Sequence, residues 1–294
     1  MTRRLAAILC VLLAGTSVAD EAPHPVTLWR VAGTSNSVFL LGSIHLLRAG
    51  DHPLPRAIDD AYDEAEVVVM ELDMDDIDPV FTQAAFNKAG VMTDGRTLRE
   101  LMGEAYYRDA QLAASAIDIP LDMLDQSEPW LAAMTVELLL LYRIGFDPML
   151  GVEMTMTTRA SADGKPIEGL ETIDEQLGFL DGLPIEAQRE MLLQTLQQGA
   201  GLETSIDTLV DAWRHGDTAT LERELLSGIE EQDELHEALI VQRNRRWAST
   251  IGTWLDDEQD YLVVVGALHL VGEDGVPALL DRAGFDIQQL KEYP

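Results

Sequence analysis

Near its two ends the chain repeats one pattern, an apolar run that breaks at a glycine and delivers a histidine three residues later. Leu40-Leu41-Gly42-Ser43-Ile44-His45-Leu46-Leu47 is matched by Val264-Val265-Gly266-Ala267-Leu268-His269-Leu270-Val271. Each copy runs on through a Gly, an acidic residue and a Pro to an Ala–apolar pair. A short continuous apolar run closed by a turn former reads as a strand buried on both faces. Glycine at its end permits a tight turn and close backbone approach, so a histidine just beyond projects from the strand terminus. Self-similarity of this kind marks a duplicated unit and restricts the chain to folds that can hold two copies of it.

Extending each copy gives the unit its shape. Val26 to Val31 and Val38 to Leu41 flank the turn formers Gly33 to Ser37 and predict a β-hairpin whose second strand feeds the first motif. Helical spacing of Ala57, Ile58, Ala61, Tyr62 and Ala65 follows, then an apolar strand Val67 to Met70 ending at Glu71. The second copy has a strand Tyr261 to Val265, a helix opened by Pro277 and running to Arg282, and a strand Phe285 to Leu290. Between the copies Leu, Met and Ala recur at three and four, and only Ile167 to Leu170 suggests a strand. The expected fold class is therefore α/β (α+β): duplicated β-α-β halves, about 26–74 and 256–294, forming a mixed sheet and separated by a large, mostly helical insertion over about 75–255. Ligands of open α/β sheets bind beyond the carboxyl ends of the strands, where both histidines and Glu71 fall.

The first residues, Met-Thr-Arg-Arg followed by an apolar run from Leu5 to Ala14 and a small-residue segment to Asp20, have the layout of a Sec-type signal peptide, with cleavage expected after Ala19. Residues 20–294 are expected to form one domain in the periplasm or outside the cell. The run is shorter than the roughly 20 residues that span a bilayer, and no later stretch qualifies. Cys10 is the only cysteine, so the mature chain has no disulfide and no thiol chemistry. Lys and Arg total 20 against 52 Asp and Glu, a net charge of −32; loss of Arg3 and Arg4 leaves 18 against 52, about −34. Such a field repels nucleic acid and anionic lipid and attracts cations, though most of these carboxylates read as a solvated surface.

His45, His269 and Glu71, from different strand ends, match the ligand types of a catalytic divalent-metal site holding an activated water. Glu171, closing the central strand, is a candidate ligand or base. Arg243 is a candidate oxyanion or carboxylate clamp and Asn244 an orienting group, all three being equally readable as helix–sheet pairing. Arg245 and Arg246 read as ordinary ion pairs. His52 and Glu153 are open between loop surface and cleft. There is no His-Glu-x-x-His, Gly-x-Ser-x-Gly, P-loop or dinucleotide fingerprint.

The ordered set of both Gly-x-x-His segments, Val68-Val69-Met70-Glu71-Leu72-Asp73, Gly169-Leu170-Glu171-Thr172-Ile173-Asp174-Glu175-Gln176 and Arg243-Asn244-Arg245-Arg246-Trp247 resembles the TraB/GumN family over essentially the whole mature chain. The resemblance implies a superfamily built around paired histidines and acidic residues. It includes metal-dependent proteases using manganese or cobalt, a lactone-hydrolysing esterase branch and haem-iron binders. Carried over, His45, Glu71 and His269 form the core, with Glu171, Arg243 and Asn244 next to them. The leading expectation is a metal-dependent hydrolase of peptides, holding manganese, cobalt or zinc and acting on a peptide or small molecule. Two others stand beside it: a non-catalytic haem- or peptide-binding protein, and a metal-free hydrolase with a histidine base.

Overall fold

A computed structural model describes residues 23–226 and 233–292; the expected signal peptide lies outside the described residues. The strands are β1 (His24–Ala32), β2 (Ser37–Ser43), β3 (Val67–Leu72), β4 (Ile167–Glu171), β5 (Tyr261–Gly266) and β6 (Asp286–Glu292). They form one sheet in the order β4-β3-β5-β2-β1-β6. The predicted hairpin is present, with Val31 opposite Val38. β2 runs parallel to β5, and β3 parallel to both β5 and β4, while β1 is antiparallel to β2 and β6. The sheet is thus mixed, with the two motif strands side by side at its centre.

Every residue of β2 and β5 is buried. Fully burying one Val or Leu side chain contributes about 1.5–3 kcal/mol, so these two continuous apolar runs anchor the sheet. Side-chain alternation divides the burial between two cores. On one face Phe39, Leu41, Val68 and Val264 meet Ile58 and Tyr62 of the helix Arg56–Glu64. On the other, Val38, Leu40, Val69 and Val263 meet Trp247 and Ile251 of the helix Gln242–Trp254, and Val276 and Leu280 of the helix Val276–Arg282.

The crossover from β2 to β3 therefore packs on one face of the sheet and the crossover from β5 to β6 on the other. Where neighbouring parallel strands send their connections to opposite faces, a crevice opens at their carboxyl ends. Both Gly-x-x-His segments leave the sheet there. Their register is staggered, however, because Ser43 rather than Gly42 pairs with Gly266.

The insertion has a core of its own, in which Leu98, Met102, Val136, Leu140, Leu192 and Leu196 pack the helices Leu98–Ala116, Pro129–Arg143 and Ile185–Gln198. It is tied to the strand ends by a bridge between Leu47 and Asp147 and by the Val152 N–H, which donates to the Ile44 carbonyl at 3.1 Å. Among the described residues no helix is long and apolar enough to cross a membrane.

Candidate active site

The repeated histidines do not occupy equivalent environments. His269 follows β5 in a short 3-10 turn, Ala267–Leu270, and is 1% exposed. The helix Gln242–Trp254 lies over it: Trp247 sits 4.6 Å from its ring centroid and Asn244 Oδ1 2.7 Å from its Nδ1. Asn244, itself fully buried, also donates from Nδ2 to the Asp274 carbonyl at 2.8 Å and so clamps the turn. The remaining ring nitrogen, Nε2, accepts from Arg243 Nη1 at 3.1 Å. His45 has no such cover, and its side chain is 61% exposed.

Arg243 stands at the centre of the buried group. A π-helical turn, Glu237–Val241, immediately precedes its helix; such turns recur at functional sites. The Leu239 carbonyl in that turn accepts from Nη1 at 3.2 Å. Nη2 donates to Glu71 at 2.7 Å and pairs with Glu171 at 2.9 Å, while Nε reaches both Glu171 oxygens at 3.1 and 3.0 Å. Arg246, expected as an ordinary ion pair, closes the other side of Glu171 at 2.7 Å. Glu171, Arg243 and Asn244 are therefore together with Glu71 and His269, but as a closed, mutually satisfied cluster.

Glu71 bridges this cluster to the cleft. Its Oε1 accepts from the Gly266 backbone N–H at 2.8 Å, joining the ends of β3 and β5. Its Oε2 accepts from Gln176 Nε2 at 3.0 Å. Gln176 is delivered by local sequence: Thr172 and Glu175 form a reciprocal capping box that starts the helix Ile173–Asp181 directly after β4.

On the open side, Glu153 is the partner of His45, with Nδ1 and Oε1 2.6 Å apart. The Ser43 hydroxyl donates to the same oxygen, and Oε2 has no protein partner among the described residues. Two glycines fit the backbone around this pair. A Cβ on Gly151 would lie 2.1 Å from the His45 carbonyl oxygen, and one on Gly42 would meet Thr27 Cγ2 at 2.5 Å. Thr27 cannot yield easily, since Trp213 fastens this end of β2 by donating from Nε1 to the Gly42 carbonyl at 2.6 Å and accepting at its own carbonyl from Thr27 Oγ1, also at 2.6 Å. His52 Nε2 lies 2.9 Å from the Leu150 carbonyl, which ties its loop to the segment leading into Glu153.

Three cavities meet at His45. One, of about 290 Å³, is shared with Glu71, Glu153 and Gln176; another, of about 420 Å³, and a third, of about 210 Å³, are shared with Glu137. The charge on Glu153, aided by its hydrogen bond and by Glu71 and Glu137, outweighs partial desolvation in the cleft and raises the His45 pKa to about 10. The pairing with Glu153 favours the imidazolium form of His45 at neutral pH. Partial desolvation in the cleft raises the Glu137 pKa against the opposing pull of His45. Within the sealed cluster, burial disfavours the Glu71 charge, but His269, Arg243, His45 and the Gly266 N–H outweigh it and bring its pKa down to about 2. Burial, with Arg243 and His45, pulls His269 down to about 3 despite Glu71. Of that coupled pair the carboxylate holds the charge and the imidazole stays neutral.

The donors expected to share a metal, His45, Glu71 and His269, are thus divided. The Nε2 lone pair of His269 accepts from a guanidinium, its Nδ1 faces Asn244, and both Glu71 oxygens are engaged. Among the described residues no group of three His, Cys, Asp or Glu side chains has the geometry to hold an ion. In this arrangement the expected trio does not fit one shared metal. Sequence reading left Glu153 unresolved and passed over Glu137, Gln176 and Trp213. Ser43 and Gln176 lay inside segments already singled out, whereas Glu137 and Trp213 sit in ordinary amphipathic helices with nothing local to distinguish them.

Escherichia coli (strain K12) YbaP, an uncharacterized protein, is 23% identical to this chain over 241 residues, covering 82% of this chain and 86% of YbaP. The Shigella flexneri YbaP gives the same figures. No solved structure matches. The family model for TraB/PrgY/gumN matches residues 27–289, a span that takes in β2 to β5, both Gly-x-x-His motifs and the Arg243 cluster. The chain belongs to the TraB/PrgY/gumN family.

Proposed function

We propose that this is an exported hydrolase of acyl bonds, in a peptide or a small ester, that works by proton transfer from His45 without a shared metal. The observation that carries the reading is the His45–Glu153 pair, an oriented imidazole at the meeting point of three cavities. Glu153 accepts from Nδ1–H and fixes the ring, as the carboxylate partner of a catalytic histidine does. Nε2 has no protein partner among the described residues. As an imidazolium, His45 polarises the carbonyl under attack and then protonates the leaving group. Glu137, a carboxyl of raised pKa opening to two of the same cavities, takes the proton of the attacking water. The Arg243 cluster is a positioning device: it holds Glu71, whose charge helps keep His45 protonated, and pins the ends of β3, β4 and β5 together.

The test is hydrolysis of a peptide library and of nitrophenyl esters by the purified protein, with and without a chelator. Turnover is expected to survive chelation and to fall about 100-fold or more in His45→Ala and Glu137→Gln, the usual scale of general acid–base assistance. Activity that requires added manganese, cobalt or zinc, or that is indifferent to His45→Ala, would overturn this mechanism.

A further inference from the structure

The cavity of about 420 Å³ lies between the helices Pro79–Gly90 and Pro129–Arg143, and it ends on His45 and Glu137. Phe86, Leu131, Met134 and Leu138 make its walls, with the neutral amides of Gln83 and Asn87 beside them. Among the described residues, Glu137 and His45 are its only ionisable lining groups. In a chain of net charge −32 an uncharged wall of this extent is a local exception. Leu138 is left 40% exposed, so the apolar surface is presented to the cleft rather than consumed by the core. The volume falls within the usual range for small-ligand sites, about 300–1,000 Å³. Beyond His45 the cleft continues between Met70, Met74 and Met154, side chains that adapt to apolar groups of varied shape.

We infer that the cavity between these two helices is a specificity pocket that takes a bulky, uncharged, apolar side chain adjoining the acyl bond to be cut. This rests on the hydrolase reading above. The placement follows from the floor of the pocket, since a side chain seated there brings its own backbone carbonyl beside His45 and Glu137. Apolar walls supply burial, and the carboxylates around His45 reject acidic neighbours. The preference expected is for aromatic or branched aliphatic residues over glycine, with aspartate and glutamate excluded.

Two substitutions at exposed positions outside the His45–Glu153 pair test it. Asn87→Trp blocks the mouth and Leu138→Asp places a charge in the wall. Hydrolysis of nitroanilides carrying Phe or Leu is expected to exceed that of Gly or Asp counterparts, and kcat/KM for the bulky substrates to fall about 10- to 100-fold in either variant, the range set by one apolar contact. In parallel, fluorescence of the neutral probe N-phenyl-1-naphthylamine reports occupancy without catalysis. It is expected to bind wild type and Glu153→Gln alike and to bind both pocket variants at least tenfold more weakly. Probe affinity unchanged in both pocket variants, or turnover equal for Phe and Asp substrates, overturns the pocket. Probe binding lost in the pocket variants while no substrate is cut by any form retains the pocket and rejects the hydrolase.

Discussion

Arg243→Met is the substitution that best separates a structural from a chemical role for the buried cluster. Methionine matches the aliphatic stem but removes the guanidinium that pairs with Glu71 at 2.7 Å and Glu171 at 2.9 Å. Both carboxylates are enclosed, their side chains 15% and 1% exposed. Taking one partner from a buried ion pair typically costs about 3–5 kcal/mol. Glu171 keeps Arg246 at 2.7 Å, and Glu71 keeps the Gly266 N–H and Gln176. The lower end, about 3 kcal/mol, is therefore expected at pH 7. At about 2–4 °C per kcal/mol for a chain near this size, that is a Tm lowered by about 6–12 °C. The pH dependence adds a sign. In wild type the folded pKa of Glu71 is depressed, so its stabilisation is present above the ordinary value of 4.5 and lost as pH falls toward about 2. Without the cation that pKa moves back up, so Glu71 takes up its proton at a higher pH than in wild type, and the gap between variant and wild type narrows as the pH falls. Urea unfolding at pH 7 and pH 4 reads both effects. A variant within 1 kcal/mol of wild type at pH 7, or a gap that widens on acidification, would refute the assignment of Arg243 as the compensating charge.

The two histidines should bend the stability profile in opposite directions. His269 has a folded pKa below its ordinary 6.5, so stability is expected to fall as pH drops from 6.5 toward 5, where the unfolded chain takes up a proton that the buried ring refuses; His269→Gln should flatten that limb of the urea-midpoint profile. His45 has the raised pKa, so its contribution is complete below 6.5 and declines as pH climbs toward about 10, and His45→Ala should remove that decline. Glu153→Gln is expected to return the His45 pKa toward 6.5, followed by NMR of the imidazole protons, and to lower turnover by about 10²–10⁴-fold; an unmoved His45 titration would show that Glu153 is not its partner. Gly151→Ala forces a Cβ against the His45 carbonyl and should cost about 1–3 kcal/mol while displacing the His45 resonances, whereas Gly50→Ala, where a Cβ meets nothing, is the control.

How much of this could be read beforehand depended on range. The apolar runs of β2, β3 and β5 state their own burial, because a strand covered on both faces admits almost no polar residue. Glycine, proline and turn-former clusters marked the breaks, so the hairpin, the strands and the mostly helical middle of the chain were legible, with strand ends differing by a residue or two, as at β6. The repeated motif marked the two strands, β2 and β5, that pair in parallel at the centre of the sheet. Glu171, Arg243 and Asn244 were associated with the motif residues through the family likeness, and the fold does bring them to His269 and Glu71.

What the chain could not announce was which of the two histidines would be enclosed. Two segments of nearly the same sequence end as opposites, His45 open and paired with a carboxylate, His269 enclosed and 1% exposed. The difference comes from residues over a hundred positions from the first motif and over twenty from the second. Glu153 approaches His45 through the insertion, whereas Asn244 and Trp247 close over His269 from the preceding helix. Local periodicity decides which residues are buried, since water is excluded segment by segment along a strand or a helix face. Partners, and with them the charge each histidine carries, are set only when distant elements pack, because Coulomb energies depend on through-space distance and on the water left between the groups.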